Sequence, residues 1–179
     1  MGSYSGALLA AKGLNDLCEL IEAAAQDQLV CHFLIVGYPL HTLERFLDEK
    51  NLRSWCTLTG RIPYEELSGY LALANIAIEP KMSDSGEASG KLLNYMAAAL
   101  PVVCYDSPNN SEILASAGFL ADRSAGVSSL LSRLKQALSS PEEAQRRGKI
   151  ARTRVEKTYS WDAAAAKVYA VYQDNIISN

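Results

Sequence analysis

Short runs of apolar, strand-favouring residues alternate with amphipathic helical segments along almost the whole chain, and this alternation limits the fold more than any other feature. A brief, continuously apolar strand has to be covered on both faces, and strands separated by helices pair in parallel. Strands are expected over Tyr4–Leu8, His32–Val36, Cys56–Thr59, Ile76–Glu79, Val102–Tyr105 and Gly118–Ala121. Helices are expected over Asn15–Ala25, Thr42–Lys50, Tyr64–Ala74 and Asn110–Ala115, with Asn15 as the first N-cap. After Gly126 the pattern is helical only: Val127–Leu138, Pro141–Thr158 and Trp161–Ile176. Pro141 suits a first-turn position, with Ser140 as N-cap and Glu142 and Glu143 favourable to the helix dipole. The predicted class is α/β, a parallel sheet with helices on both faces.

At 179 residues the chain fits one domain with a full core. Its formal charge of −3 argues against nucleic acid as a partner, which calls for a basic excess. No apolar run reaches the ~18 residues of a membrane span. Met1-Gly2-Ser3 lacks the basic start of a signal peptide and reads as a cloning scar, so a cytoplasmic location is expected. Cys18, Cys31, Cys56 and Cys104 are widely spaced without a C-x-x-C pair, and read as reduced core thiols. His32 and His41 fit no zinc spacing, and no metal is expected.

In sheets of this kind ligands sit beyond the carboxyl ends of the strands. The loops that matter are therefore Gly6–Lys12, Gly37–Pro39, Gly60–Tyr64, Lys81–Gly90 and Asp106–Asn110. The stretch from Ser85 to Val103 runs from a small polar loop into an apolar helix and then, through Pro101, into a strand. Amides at such a helix start, with the positive end of the dipole, suit an anion. Glu87, Lys91 and Asn94 lie close enough along the chain to read a phosphate and a hydroxylated ligand together.

Taken in order, these segments resemble the C-terminal half of GT-B glycosyltransferases, specifically family 4 of the retaining enzymes. Ser5-Gly6-Ala7-Leu8 with Lys12-Gly13 is similar to the family's opening strand and its Gly-Arg-Leu…Lys-Gly loop. Phe33-Leu34-Ile35-Val36-Gly37 resembles its second strand, and Leu58-Thr59-Gly60-Arg61-Ile62-Pro63 with Glu65-Glu66-Leu67 its Thr-Gly-Arg-Val-Pro…Glu-Leu segment. Ala74-Asn75-Ile76-Ala77-Ile78-Glu79-Pro80 resembles the strand ending in Pro-Ser. Tyr95-Met96-Ala97-Ala98 with Pro101-Val102-Val103 resembles the Glu-Ala-Met-Ala-x-Gly-x-Pro-Val-Val helix and strand, and Ser160-Trp161 the junction before the last helix.

The resemblance implies one of two facing Rossmann-like domains. This one would hold a UDP- or GDP-sugar donor, and a missing N-terminal domain would hold a glycan, lipid or small-molecule acceptor. The last helices, residues 141–176, would pack toward that domain. Used alone, the chain is expected to bind donor and to turn over little or nothing. No metal and no other cofactor is implied.

Departures from the pattern are as informative as the matches. The family's phosphate-binding Arg falls at Ala7, while Lys12 keeps the accompanying Lys. Of the family's two glutamates, the second falls at Asn94 and the first at Gly86, with Glu87 one place later. Ala99 replaces the usual Gly. Lys91 is expected to take over the charge lost at Ala7, with the amides of Ser89, Gly90, Lys91 and Leu92 completing a phosphate cradle. Lys12 and Glu87 are the expected catalytic groups, with Glu87 at the sugar or the reacting centre. Asn94 is assigned to the ribose, and Arg61 and Ile62 to the base. The residues by themselves allow plainer roles: Lys91 as a solvated helix residue, Lys12 as a snorkelling one, Glu87 as an exposed charge and Asn94 as a partner for backbone.

Arg146, Arg147, Lys149, Arg152, Arg154 and Lys157 read as a solvated helix face. The competing readings are contact with acidic headgroups at the inner membrane face or with the missing domain. Two rival functions remain at this level: a degenerate, non-catalytic scaffold, and a sugar-nucleotide epimerase of the same architecture.

Overall fold

The computed structural model describes residues 1–82 and 89–177. Six strands, β1 (Gly2–Ala7), β2 (Phe33–Tyr38), β3 (Cys56–Gly60), β4 (Ile76–Glu79), β5 (Val102–Tyr105) and β6 (Gly118–Ala121), form one sheet. All neighbours pair in parallel, in the order β3-β2-β1-β4-β5-β6. This is a Rossmann-like sheet, and its order reverses between β1 and β4, which opens a crevice at their carboxyl ends.

The two faces follow from strand periodicity. Ile76, Ile78, Val103 and Tyr105 point to one core, where they meet α1 (Leu14–Gln26), α2 (His41–Glu49) and α6 (Gly126–Ser139) through Leu17, Ile21, Leu43, Leu47, Leu130 and Leu134. Ala77, Val102 and Cys104 point to the other. There they meet α3 (Leu67–Leu71), α4 (Gly90–Ala97), α5 (Pro108–Leu114) and α7 (Pro141–Thr158) through Leu71, Leu92, Met96, Ile113, Leu114, Ala151 and Val155. Each fully buried side chain of this size contributes about 1.5–3 kcal/mol, so both layers are needed.

Several local expectations need correction. The first strand begins at Gly2, two residues before the expected Tyr4, with Gly2 and Ser3 buried and paired with Phe33 and Leu34 on one side and Ile76 and Ala77 on the other. Asn15 is not the N-cap of α1, because Gly13, at φ 87°, already turns the chain into the helix at Leu14. Tyr64–Glu66 is a separate 3-10 turn ahead of a short α3. The fifth helix starts at Pro108, two residues earlier than expected, because Ser107 caps it by accepting from the Asn110 amide at 3.2 Å. Ser140 stands before α7, but its side chain makes no cap bond.

Helix α4 ends in a Schellman arrangement. The Leu100 amide donates to Tyr95 O and the Ala99 amide to Met96 O, each at 3.0 Å. Ala99 takes φ 54° there, the left-handed conformation for which glycine is favoured. The turn is therefore kept even though the residue is changed.

The basic face of α7 is only partly a solvated one. Arg147 donates to Gly118 O at 2.5 Å, Arg154 to Ile113 O at 2.8 Å and Glu112 O at 2.7 Å, and Arg152 to Ala97 O. These arginines thus satisfy carbonyls near the C-terminal ends of α4 and α5 and at the start of β6, where helices otherwise leave acceptors unpaired. In contrast, α8 (Trp161–Ile177) leaves Trp161, Val168, Tyr169, Val171 and Tyr172 exposed. The four cysteines are free thiols, with Cys18 and Cys104 buried. Among the described residues, no helix is long and apolar enough to cross a membrane.

Candidate functional site

The carboxyl ends of β1 and β4 and the start of α4 enclose a cavity of 280 Å³, lined by Gly6, Ala7, Lys12, Lys81, Ser89, Gly90 and Lys91. Gly6, at φ 127°, is needed twice over. Its backbone is left-handed, and a Cβ there would lie 2.9 Å from Lys91 Cδ, across the path of the lysine stem. Gly90 and Lys91 occupy the first turn of α4, where amides have no carbonyl within the helix to bond.

Lys91 does not project freely into solvent. Its Nζ lies 2.9 Å from Glu79 Oε2, 3.3 Å from Tyr4 Oη and 4.4 Å from the centre of the Tyr4 ring. Burial pulls its pKa below the ordinary lysine value, Glu79 works in the opposite direction, and the charges of Lys12 and Lys81 add to the lowering. Tyr4 Oη in turn donates to Ala7 O at 2.8 Å, which links the lysine to the end of β1. Below it, Tyr95 Oη accepts from the Ser5 amide at 2.8 Å and bolts α4 to the same strand. Burial, with Glu79 adding to it, raises the pKa of both phenols, so they stay neutral hydrogen-bonding groups.

A second cavity, of 330 Å³, adjoins the first and shares Gly6, Ala7 and Lys91 with it. It runs over the ends of β2 and β3 to Gly37, Arg61, Ile62, Tyr64 and Asn94. Arg61 lies over the Tyr38 ring at 5.2 Å, and Tyr64 Oη donates to Asn94 Oδ1 at 3.0 Å. One end of the combined crevice is thus cationic, and the other offers apolar walls, aromatic rings and an amide.

Of the residues singled out from the sequence, Lys12, Ser89, Gly90 and Lys91 meet at the first cavity, and Arg61, Ile62 and Asn94 at the second. Leu92 requires correction as a cradle residue. Its side chain is fully buried in the core, and its amide already donates to Ser89 O at 3.0 Å. Lys91 as a purely solvated residue is also excluded by its ion pair. Glu87 lies outside the described residues. Sequence reading missed Glu79, Lys81, Tyr4 and Tyr64. Tyr64 and Lys81 fall at the edges of loops singled out from the sequence, and Glu79 left a trace as a charged residue closing an otherwise apolar strand. A larger cavity, of 610 Å³ between Ala74, Pro101 and Ala144, lies at the opposite end of β4 and β5, away from these groups.

Comparison with known proteins gives the family and the fold. The profile of the family "Glycosyl transferases group 1" matches residues 3–154. An MMP alpha-(1->4)-mannosyltransferase of Mycolicibacterium hassiacum is 28% identical over 135 residues, 74% of this chain and 32% of that protein. Among solved structures, a sucrose-phosphate synthase from Thermosynechococcus elongatus superposes with a TM-score of 0.83 at 22% identity, over 99% of this chain and 46% of that one. HepE of Anabaena, solved in complex with UDP-glucose, gives 0.80 at 11% identity, over 97% and 48%. At these identities the structural likeness shows the fold, that of GT-B glycosyltransferases. The chain spans about a third of the length of the curated relative and about half of these structures.

Proposed function

Because the chain belongs to the glycosyl transferases group 1 family, we propose that its crevice holds the nucleotide diphosphate of a UDP- or GDP-linked sugar. The chain is read as the C-terminal, donor-binding domain of a family 4 enzyme. The parent enzyme would transfer the sugar, with retention, to a glycan, lipid or small-molecule acceptor on a preceding domain. The observation that carries this reading is the pair of joined cavities: a cationic one with Lys12, Lys81, Lys91 and a helix start, and a less polar one beside it. A phosphate group needs paired charge and amide donors, whereas a nucleoside needs walls and a few hydrogen bonds. HepE, which shares the fold, was solved with UDP-glucose, and this supports the same class of ligand here.

In this reading the diphosphate is the leaving group. As its bond to the anomeric carbon breaks, negative charge grows on the departing phosphate oxygen. Lys12, Lys91 and the first amides of α4 stabilise that charge more than the ground state, which is how fixed cations and dipoles accelerate such a step. The reading asks for no metal ion, since the lysines supply the positive charge. Ile62 and the Arg61 backbone would hold the base, Asn94 the ribose, and Glu87 the sugar or the reacting centre. The apolar residues that α8 leaves exposed are the surface on which an acceptor domain would sit. A cytoplasmic enzyme, in peripheral contact with the inner membrane face when its acceptor is a lipid, fits this assignment.

Calorimetric titration of the chain with UDP, GDP, uridine and guanosine tests it. One diphosphate should bind at least about tenfold tighter than its nucleoside, the value of one well-placed charged contact. Absence of binding by both diphosphates would contradict the reading and leave the non-catalytic scaffold in its place.

A further inference from the structure

Glu79 is the charged residue that the donor site leaves without a task. It closes β4 and is 1% exposed. Among the described residues, three groups converge on its carboxylate: Lys91 Nζ at 2.9 Å, Ser89 Oγ, which donates to Oε2 at 2.8 Å, and the Lys81 amide, which donates to Oε1 at 3.2 Å. A buried carboxylate is costly even when paired, and an apolar residue would suit the end of a central strand better. Its partners share one property: Lys81, Ser89 and Lys91 all line the cationic cavity.

We propose that Glu79 is a positioning residue of the donor site, holding the Lys91 ammonium and both flanks of the β4–α4 connection in place for the diphosphate. The inference rests on the donor reading above and adds to it the group that keeps the cation aimed and charged. Lys91 is faced by Glu79 from β4, by Tyr4 from β1, by Lys12 from the turn after β1 and by Lys81 from the chain after β4. Two of these are cations that favour loss of its proton, as burial does, and Glu79 opposes them. Ser89 is the residue that enters α4, so its bond to Glu79 also fixes where the first helical amides sit.

Glu79→Gln separates charge from shape, since the amide keeps the size, one acceptor oxygen for the Lys81 amide and an NH2 group that can donate to Ser89 Oγ. Its affinity for the diphosphate that the wild-type chain binds should be about threefold weaker near pH 7 and more than about tenfold weaker near pH 9, because Lys91 then loses its proton earlier. Above about pH 7 the ligand's phosphates are essentially fully ionised, and ionisation of the base toward pH 9 is the same for variant and wild type, so the change in their ratio belongs to the protein. Nucleoside affinity should be unchanged throughout. Glu79→Asp, which retains the charge, should bind more weakly than wild type yet keep the wild-type pH profile, and it serves as the test should the amide variant not fold.

A ratio of variant to wild-type affinity that stays constant with pH, or equal losses for diphosphate and nucleoside, would overturn the inference and leave Glu79 a structural group. So would an aspartate variant with a shifted pH profile. Wild-type binding that Glu79→Gln leaves intact defeats this inference alone. Failure of the wild-type chain to bind UDP and GDP defeats the donor reading, and this inference with it.

Discussion

Gly148→Ala is expected to destabilise the chain by about 2–4 kcal/mol, although helix propensity alone predicts a gain of roughly 1 kcal/mol. Gly148 is a buried residue within α7, and a Cβ there would lie 2.0 Å from the Ala99 carbonyl oxygen. That oxygen belongs to the left-handed residue that ends α4, and neither partner is the yielding tip of a side chain. Adding the methyl group therefore forces α7 away from α4, and with it the Arg152 bond to Ala97 O. Gly69→Ala is the control, because nothing lies within 4 Å of that position in α3. It should stabilise by about 0.5–1 kcal/mol. Urea denaturation of both variants measures the contrast, and equal stability for the two would contradict the packing described.

The second large effect is expected at Lys91. Lys91→Met removes the cation from a pair whose acid is 1% exposed, leaving that carboxylate, among the described residues, with the Ser89 hydroxyl and the Lys81 amide. Breaking one side of a buried pair costs about 3–5 kcal/mol, and the partial exposure of Lys91 puts the expected loss near the lower figure. The double variant Lys91→Met/Glu79→Gln should recover most of it, since the buried charge goes as well. Diphosphate affinity should behave differently, falling about 10- to 100-fold in the single variant and staying low in the double. Recovery of binding together with stability would mean that Lys91 serves the fold and not the ligand.

The comparison between sequence and structure divides along a physical line. Strand and helix positions were legible because burial on both faces of a parallel sheet imposes continuous apolar runs, and helices between them impose a 3.6-residue period. Val102–Tyr105 and Gly118–Ala121 fall where those patterns put them. Short-range signals were less decisive. Asn15 looks like a cap, but Gly13 had already entered the left-handed turn that starts α1. The place of Lys12 and Lys91 was legible as the carboxyl end of the sheet, whereas the state of Lys91 was not. Its pairing depends on Glu79, separated from it by the whole β4–α4 connection, and on Tyr4 from the first strand. Long-range partners of this kind leave no periodicity to read. Similarly, the arginines of α7 look like a solvated stripe until the ends of α4 and α5 are placed beside them.

The central claim is that the diphosphate sits where β1, β4 and α4 meet. Mapping of amide chemical shifts in the nitrogen-labelled chain during titration with UDP and GDP tests it most directly. The account predicts the largest shifts at Gly6, Ala7, Lys81, Ser89, Gly90 and Lys91, with smaller ones at Gly37, Arg61 and Asn94. Shifts concentrated instead around Ala74, Leu100 and Ala144, at the larger cavity on the opposite end of the sheet, would contradict it.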